Sequence, residues 1–583
     1  MVNKQEKALN EKKRTGKHYT PLHLARFIAK NIWSSIGVPD SDIIRIMDPS
    51  CGDGELLKAM IEEAPRKVIS KINLYGIDQD DEAVSKAQKR LEHSGQNELS
   101  LTTGDFLEAC IHKNEEPSLF REPISLPSPD VIIANPPYVR TQVLGAEKSK
   151  QLSETFNLNG RVDLYQAFLV AIARKLNPGA YMGIITSNRF LSTKSGSSVR
   201  ELLSDNFEIK KIIDLGDTKL FDAAVLPAII VARKNDADAR KSKKQGEFVR
   251  IYEKENADVE NITATSKSIY TLIDKKKNGI FRVDETNYEV SSGFINIPDS
   301  EDEPWSLLNE EEAHWIRAIN ESTDLTFDDL VNVRVGIKTT ADDVFIRDDW
   351  DDLPNSLRPE PELLYPLLTP KNANHWQSES EESKKVLYTH YVQDGKRKAI
   401  DLDDYPRAAA YLEQNRERLA GRTYVIEAGR NWYEVWVPQD PDAWSKPKLV
   451  FPDISNKPRF VFDHSGSIVK GNCYWIALEE DQPLDLLFLL QGVANSQTMT
   501  RYHDLVFNNK LYSGRRRYLT QYVKKYPVPD PNSQGAKRII ETVKAILNNP
   551  NVESQNELLC KLEEVVSEAL KSSHLSQINH LEV

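Results

Sequence analysis

Asn135-Pro136-Pro137-Tyr138 directly follows the apolar run Val131-Ile132-Ile133-Ala134 and combines groups that can act together on a planar amine. Two consecutive prolines stiffen the backbone and remove two N–H donors, so the turn's carbonyls face outward as acceptors. The Asn135 side-chain oxygen and the Pro136 carbonyl can then both accept hydrogen bonds from one exocyclic NH2 group, and Tyr138 offers a flat stacking face beside them. At ordinary composition this tetrapeptide arises by chance in about one chain in several hundred of this length. The plainer reading, a tight loop with a buried Tyr, loses ground because of what precedes the turn.

Three acidic strand ends come before it. Ile46-Met47-Asp48-Pro49-Ser50-Cys51-Gly52-Asp53-Gly54 reads as a strand, a glycine turn and a helix beginning near Glu55. Glycines let backbone amides approach a ligand closely, and a helix N-terminus favours a carboxylate or phosphate. The next strand ends in Gly76-Ile77-Asp78, about two dozen residues after the turn, where doubly wound folds place an acid on a ribose hydroxyl pair. The third ends in Thr103-Gly104-Asp105-Phe106, where a further acid can accept a bond from an adenine amino group. Each Asp alone reads as a solvated strand-end residue. Together, at successive strand ends, they mark a nucleoside-bearing ligand with a negatively charged tail.

These residues need a scaffold, and the text supplies one from about residue 43 to 235. Ile43 to Met47, Leu74 to Ile77, Val131 to Ala134, Met182 to Ile185, Ile209 to Leu215 and Ala228 to Val231 read as strands. Gly54 to Glu63, Glu82 to Leu91 and Asp163 to Leu176 have helical spacing between them. Such alternation predicts an α/β domain with a mostly parallel sheet. The polar, aperiodic stretch 235–246 reads as a linker, which predicts domains at 1–240 and 241–583. The C-terminal domain reads as α+β, with strands such as Lys448 to Phe451 and Arg459 to Phe462, and two helices from about Ala536 to Ser572.

Composition narrows the class further. With 583 residues the chain is too long for one core, and 39% hydrophobic and 28% charged residues are ordinary for a soluble protein. No apolar run reaches the length that spans a bilayer, and the N-terminal MVNKQEKALNEKKRTGK lacks the apolar stretch and cleavage site of a secretory signal, so a cytoplasmic protein without membrane contact is expected. Cys51, Cys110, Cys473 and Cys560 are scattered without ligand spacing, so neither a disulfide framework nor a metal is expected. The net charge of −12 does not exclude nucleic acid, because the distribution of charge decides binding. Basic residues gather at Lys12-Lys13-Arg14 and in Lys510-Leu511-Tyr512-Ser513-Gly514-Arg515-Arg516-Arg517-Tyr518.

In wording and order these motifs resemble the N6-adenine DNA methyltransferases of the TaqI-like, gamma-class type found in restriction–modification systems. Gly16-Lys17-His18-Tyr19-Thr20-Pro21 looks like the N-terminal cofactor motif of that family, and Asp48 to Gly54 resembles its S-adenosylmethionine (AdoMet) turn. Asp163-Leu164-Tyr165, Leu176-Asn177-Pro178-Gly179 and Phe221 to Ala228 follow in the family's order. Val335 to Thr339, Pro366-Leu367-Leu368, Arg407 to Leu412, Lys448 to Ser455 and Tyr526 to Pro529 look like the C-terminal specificity domain.

The resemblance implies a Rossmann-like AdoMet-dependent methyltransferase domain followed by an α+β target-recognition domain, acting on double-stranded DNA. Thr20, Asp48, Gly52, Gly54, Asp78 and Asp105 would hold AdoMet, with no metal. Asn135, Pro136, Tyr138 and Phe221 would act on a flipped adenine, Phe221 supplying an aromatic ring against the base. Lys510, Arg515, Arg516 and Arg517 would contact DNA. A cognate restriction endonuclease on the same site is an expected partner, and the built-in specificity domain predicts a monomer. Two alternatives stand beside this one: a protein-glutamine or RNA N-methyltransferase, and a non-catalytic DNA-binding specificity subunit, which would have no need of the AdoMet constellation.

Overall fold

The computed structural model describes residues 19–39, 41–111, 124, 126–139, 143, 145–158, 163–220, 226–236, 246–254, 262–298, 300, 303–373, 376–378, 384–508, 510–511, 514–549 and 552–570. Two compact units emerge, one comprising Met1–Ala313 with Leu505–Gly514 and the other His314–Asp504 with Arg515–Val583.

The first unit is organised by a twelve-stranded sheet. Val131-Ile132-Ile133-Ala134, apolar at every position, is suited only to a strand covered on both faces. It forms β4 (Val131–Ala134), buried throughout and paired in parallel with β1 (Ile44–Asp48) and β5 (Tyr181–Ser187). Successive side chains point to opposite faces, so Val131 and Ile133 enter one hydrophobic cluster while Ile132 and Ala134 enter the other. β2 (Ile72–Asp78) and β3 (Glu98–Thr103) extend the parallel sheet on the far side of β1. On the other side β7 (Pro227–Lys234) runs antiparallel to β5 and to β6 (Phe207–Asp214), giving the order β3-β2-β1-β4-β5-β7-β6. This is the expected Rossmann-like methyltransferase sheet.

Helices cover both faces. α1 (Leu22–Ile36) lies on β5 because Gly183 leaves room for it: a Cβ there would sit 2.2 Å from Ile32 Cδ1. Trp33 Nε1 donates to the Met60 carbonyl at 2.9 Å, tying α1 to α2 (Glu55–Glu62). α3 (Asp81–Leu91) is capped by Asp80, whose side chain accepts from the amides of Glu82 and Ala83. α4 (Phe106–Ile111) follows β3, α5 (Ala146–Phe156) follows the Asn-Pro-Pro-Tyr turn, and α6 (Leu164–Lys175) starts at a capping box between Asp163 and Gln166.

The stretch 235–246 is not a domain boundary. Past it, β8 (Glu247–Glu253) pairs in parallel with β6 and antiparallel with the long strand Thr286–Asn296, and the sheet continues to Ile262–Ser266 at its edge. Phe248 joins one core cluster while Val249 and Ile251 join the other, so β8 is an interior strand of the same sheet. The stretch has the polar composition of a linker although the strands before and after it pair in one sheet, which is why the sequence misplaces the division.

The second unit is α+β, as expected. Asn332–Val335, Cys473–Ala477, Lys448–Pro452 and Val461–Asp463 form a four-stranded antiparallel sheet. The helix Asp485–Asn495 is buried from Leu486 to Ala494, and two C-terminal helices, Gln534–Leu547 and Val552–Ala569, stand where the apolar spacing places them. Gly492 lets the first two of these meet, since a Cβ there would lie 2.6 Å from Ile539 Cγ2. Among the described residues, no helix is long and apolar enough to cross a membrane.

Candidate active site

The chain's order reverses at β1, which has β2 on one side and β4 on the other. Ligands in open α/β sheets bind outside the carboxyl ends of strands at such a point, and the motif residues converge there.

Asp48 ends β1 at 1% exposure; its Oδ1 accepts from the Ser50 amide at 3.0 Å, and its Oδ2 is buried with no hydrogen-bond partner among the described residues. Burial pushes its pKa up to about 8, opposed by the Ser50 bond and assisted by the charge of Asp78. Because the folded chain binds this proton more tightly than the unfolded chain, the contribution to stability is full below the unfolded carboxyl range and is lost as pH rises toward 8. Stability of the ligand-free protein is therefore expected to fall between about pH 5 and 7.5, with Asp48 contributing on the order of 1 kcal/mol per pH unit. Asp48→Asn should flatten that slope in urea unfolding curves at several pH values; an unchanged slope would contradict the assignment.

The turn after Asp48 closes onto the next strand. Gly52, at φ +49°, donates its amide to Asp78 Oδ2 at 2.9 Å, and the Asp80 amide donates to Asp78 Oδ1 at 3.0 Å. Gly54, at φ +81°, begins α2 where a Cβ would lie 3.0 Å from Ala87 Cβ, so its part is helix packing. Asp105 Oδ1 accepts from the Leu107 amide at 2.8 Å at the start of α4, while its Oδ2 accepts from Gln79 Nε2 at 2.7 Å.

A cavity of about 480 Å³ opens between these strand ends, a size suited to a small ligand. Its polar wall is Tyr19, Ser50, Gly52, Asp78, Asp105 and Asn135, and its apolar wall includes Phe106, Leu107, Leu152 and Phe168. Phe106 and Phe168 stack with centroids 5.7 Å apart, which fixes that wall. Of the residues expected from sequence, Gly52, Asp78, Asp105 and Asn135 line the cavity, whereas Thr20, Asp48, Gly54, Pro136 and Tyr138 are outside its lining. The contributions of α5 and α6 have no sequence signal, because nothing in their amphipathic spacing says which side chains face a ligand. Tyr19 does have one, since it belongs to the motif that contains Thr20.

Thr20 contacts Asn135. It sits buried just before α1, and Asn135 Nδ2 donates to its Oγ1 at 3.1 Å. Ser50 Oγ donates to the Asn135 carbonyl at 3.3 Å, holding the turn from the other side. The Thr20 bond uses the amide nitrogen, so it assigns the acceptor role to Oδ1. Pro136 is buried, and the Leu164 amide donates to the Val139 carbonyl at 3.1 Å, fixing the end of the turn to α6. Tyr138 packs its ring partly against the core cluster, and burial of its hydroxyl pushes the phenol pKa up strongly. Phe221 lies outside the described residues.

β6, the strand that precedes Phe221, ends in a polar network that the sequence does not reveal. Asp214, fully buried at the end of β6, accepts from Asn188 Nδ2 at 3.1 Å, the Gly216 amide at 3.1 Å, the Tyr252 hydroxyl at 2.9 Å and Asn508 Nδ2 at 3.4 Å. Burial still raises its pKa despite these donors. Asn508 adopts φ +42°, a left-handed conformation that Asn tolerates better than most residues. Lys510, two residues on, holds its ammonium 5.5 Å from the Tyr252 ring centroid. A pairing across 294 residues leaves no local signal.

Within the second unit, Arg516 makes a two-point ion pair with Asp504, Nε to Oδ1 at 2.6 Å and Nη2 to Oδ2 at 2.8 Å, and is mostly buried. That is a structural duty which DNA contact would have to break. Arg515 is exposed, and Arg517 lies in a two-residue strand paired with Ile454. Among the described residues, no cluster of His, Cys, Asp or Glu could hold a metal ion.

Comparison with known proteins agrees with this geometry. Residues 72–221 match the Eco57I restriction-modification methylase family, and 388–528 match the TaqI-like C-terminal specificity domain. Type II methyltransferase M.BanIII of Aneurinibacillus aneurinilyticus is 45% identical over 96% of this chain and 98% of its own length. The chain is a Type II methyltransferase of the restriction–modification family. This DNA methyltransferase is also 27% identical to Type II methyltransferase M.BstVI of Geobacillus stearothermophilus, over 69% of this chain and 68% of that one. In fold it resembles the DrdV chain of a DrdV–DNA complex, with a TM-score of 0.51 over 93% of this chain and 58% of that one, at 10% identity.

Proposed function

We propose that this methyltransferase moves the methyl group of AdoMet to N6 of an adenine flipped out of duplex DNA, modifying the site that a cognate endonuclease would cut. The observation that carries the reading is the Thr20-anchored Asn135 amide at the wall of the cavity. A methyltransferase needs a donor and an acceptor pocket side by side, and this turn is where they would meet.

The cavity residues fit AdoMet. Asp78 and Asp105 each keep acceptor capacity beyond the bonds they already receive, suited to ribose hydroxyls and an adenine amine, and Phe106 and Leu107 supply an apolar wall for the base. Bound AdoMet supplies an electrophilic methyl group. The residues do the rest.

A paired, stacked adenine must first leave the duplex, which costs a few kcal/mol. Tyr138, with Phe221, would recover part of this by stacking, at about 1–3 kcal/mol per base. The N6 lone pair is delocalised into the ring and is a poor nucleophile. Asn135 Oδ1 and the Pro136 carbonyl would accept both N6 hydrogens and favour a pyramidal nitrogen aimed at the methyl group. Once N6 carries the methyl group that AdoMet would supply, its surplus proton would leave to solvent. No general base is needed. The specificity domain would read the site, with Arg515 and Arg517 in one unit and Lys510 in the other offering phosphate or guanine contacts. A monomeric, cytoplasmic enzyme without a metal belongs to the same reading.

Incubating the purified protein with unmethylated plasmid and AdoMet, then digesting one portion to nucleosides for mass spectrometry and sequencing another by a methylation-sensitive method, should yield N6-methyladenine in the first and a single sequence context in the second. N4-methylcytosine would overturn the adenine assignment, and methylation of RNA or protein alone would overturn the DNA substrate.

A further inference from the structure

The motifs leave one charged feature of the second unit unused. Residues His390–Gln393 and Lys396–Ala399 form a two-stranded antiparallel ribbon that, among the described residues, pairs with no other strand. Asp394 and Gly395 close it at φ +54° and +68°, the two positive values that a tight type I′ hairpin turn requires. An isolated ribbon of this length is marginal by itself, so what holds it matters.

Its base is firmly seated. His390 is buried with its Nε2 3.2 Å from Glu434 Oε2, the Tyr388 hydroxyl donates to the Pro438 carbonyl at 2.6 Å, and Ile400 is buried. Arg397 Nη1 donates to the Gln439 carbonyl at 2.8 Å, which anchors the second strand as well. The ribbon is therefore a stiff projection.

Its tip is basic and exposed. Lys396, Arg397 and Lys398 are all exposed, and none of them makes an ion pair with a carboxylate among the described residues, in a chain with 88 acidic and 76 basic residues. Five of the residues 384–399 are Lys or Arg against one Asp. The register sorts the ribbon into faces. Gln393 opposes Lys396 and Tyr391 opposes Lys398, so these four share one face, while Val392 and Arg397 share the other. Arg397 is committed to Gln439, and Tyr391 is 41% exposed. Adjacent like charges that meet no carboxylate among the described residues raise the energy of the free protein, and a polyanion would relieve that.

We propose that the face carrying Tyr391, Lys396 and Lys398 grips the DNA sugar–phosphate backbone, adding affinity without reading sequence. Lys396 and Lys398 are attached two residues apart on one strand, about 6.8 Å along its backbone; Lys398 Nζ donates to the neutral Gln393 Oε1 at 2.8 Å, which leaves its charge uncompensated, so the two cations can meet separate phosphates. The proposal rests on duplex DNA being the substrate.

The test is equilibrium binding of a fluorescent duplex by the full chain from about 50 to 200 mM salt. The wild type, a K396Q/K398Q variant and a K396R/K398R variant would be compared, with thermal unfolding and AdoMet affinity measured in parallel. Each lost phosphate contact removes about 0.9 from the slope of log affinity against log salt, so the Gln pair should flatten it by about 1.8. It should weaken target and non-target duplexes by the same factor, with unfolding and AdoMet affinity unchanged, and the Arg pair should retain the wild-type slope. An unchanged slope in the Gln pair would overturn the proposal. So would a loss confined to the target duplex, which means base reading. A wild type that binds no duplex at any salt concentration in this range would instead overturn the DNA reading itself.

Discussion

Replacing Asn135 with Ala is expected to lower turnover by about 10²–10³-fold, the cost of losing one preorganised polar group at a reacting centre, while leaving AdoMet binding nearly intact. Two features of the structure separate this expectation from general damage. Asn135 lines the cavity, and the backbone around it is held by Ser50 Oγ on the Asn135 carbonyl and by the Leu164 amide on the Val139 carbonyl, neither of which uses the Asn135 side chain. Removing the amide should therefore leave the turn in place. Thr20→Val provides the finer test. It deletes the hydroxyl that accepts from Asn135 Nδ2 and changes nothing else of similar size. The amide then loses the bond to Thr20 that favours one orientation, so turnover should fall by up to about tenfold, the value of one ordinary hydrogen bond, with KM for AdoMet unmoved. Asn135→Ala with near-native turnover would refute the mechanism. Thr20→Val that loses AdoMet affinity instead would return Thr20 to the cofactor site, where its motif first placed it.

Thr20 shows what kind of information the sequence holds. The motif announces that Thr20 matters and that the site is shared with Asp48 and Asp78, because the residue types and order of the strand ends are local facts. Its partner is not local, since it depends on α1 lying across β5 over Gly183. The same division runs through the molecule. Val131 to Ala134 can be read as a strand buried on both faces from its apolar text alone, and β8 cannot, because its acidic ends and the polar run before it resemble the edge of a domain. Arg516 is indistinguishable from its neighbours Arg515 and Arg517 until Asp504 is found beside it. Asp214 with Asn508, and the ribbon with Lys396 and Lys398, have no motif. The first pairs residues far apart in the chain, and the ribbon is informative only through the carboxylates its cations do not meet among the described residues.

Asp78→Ala is expected to weaken AdoMet by about 30- to 100-fold, equivalent to about 2–3 kcal/mol, the range for losing hydrogen bonds to a charged acceptor. At saturating AdoMet, turnover should stay close to normal, the reverse of the Asn135 pattern. Asp78 also carries structure, because its two oxygens hold the Gly52 and Asp80 amides and so close the glycine turn onto β2. A loss of affinity in the Ala variant alone could therefore report a loosened turn. Asp78→Asn separates the two roles. Its single side-chain oxygen can still receive the Gly52 amide and keep the turn closed, but it cannot at the same time serve Asp80 and a pair of ribose hydroxyls. If the carboxylate binds the ligand, Asn should lose most of the affinity that Ala loses while unfolding at nearly the wild-type temperature. If the carboxylate only closes the turn, Asn should bind AdoMet almost as the wild type does. Calorimetric titration of AdoMet into both variants, read beside their melting curves, distinguishes these outcomes, and unchanged affinity in both would mean that the nucleoside lies elsewhere than at the end of β2.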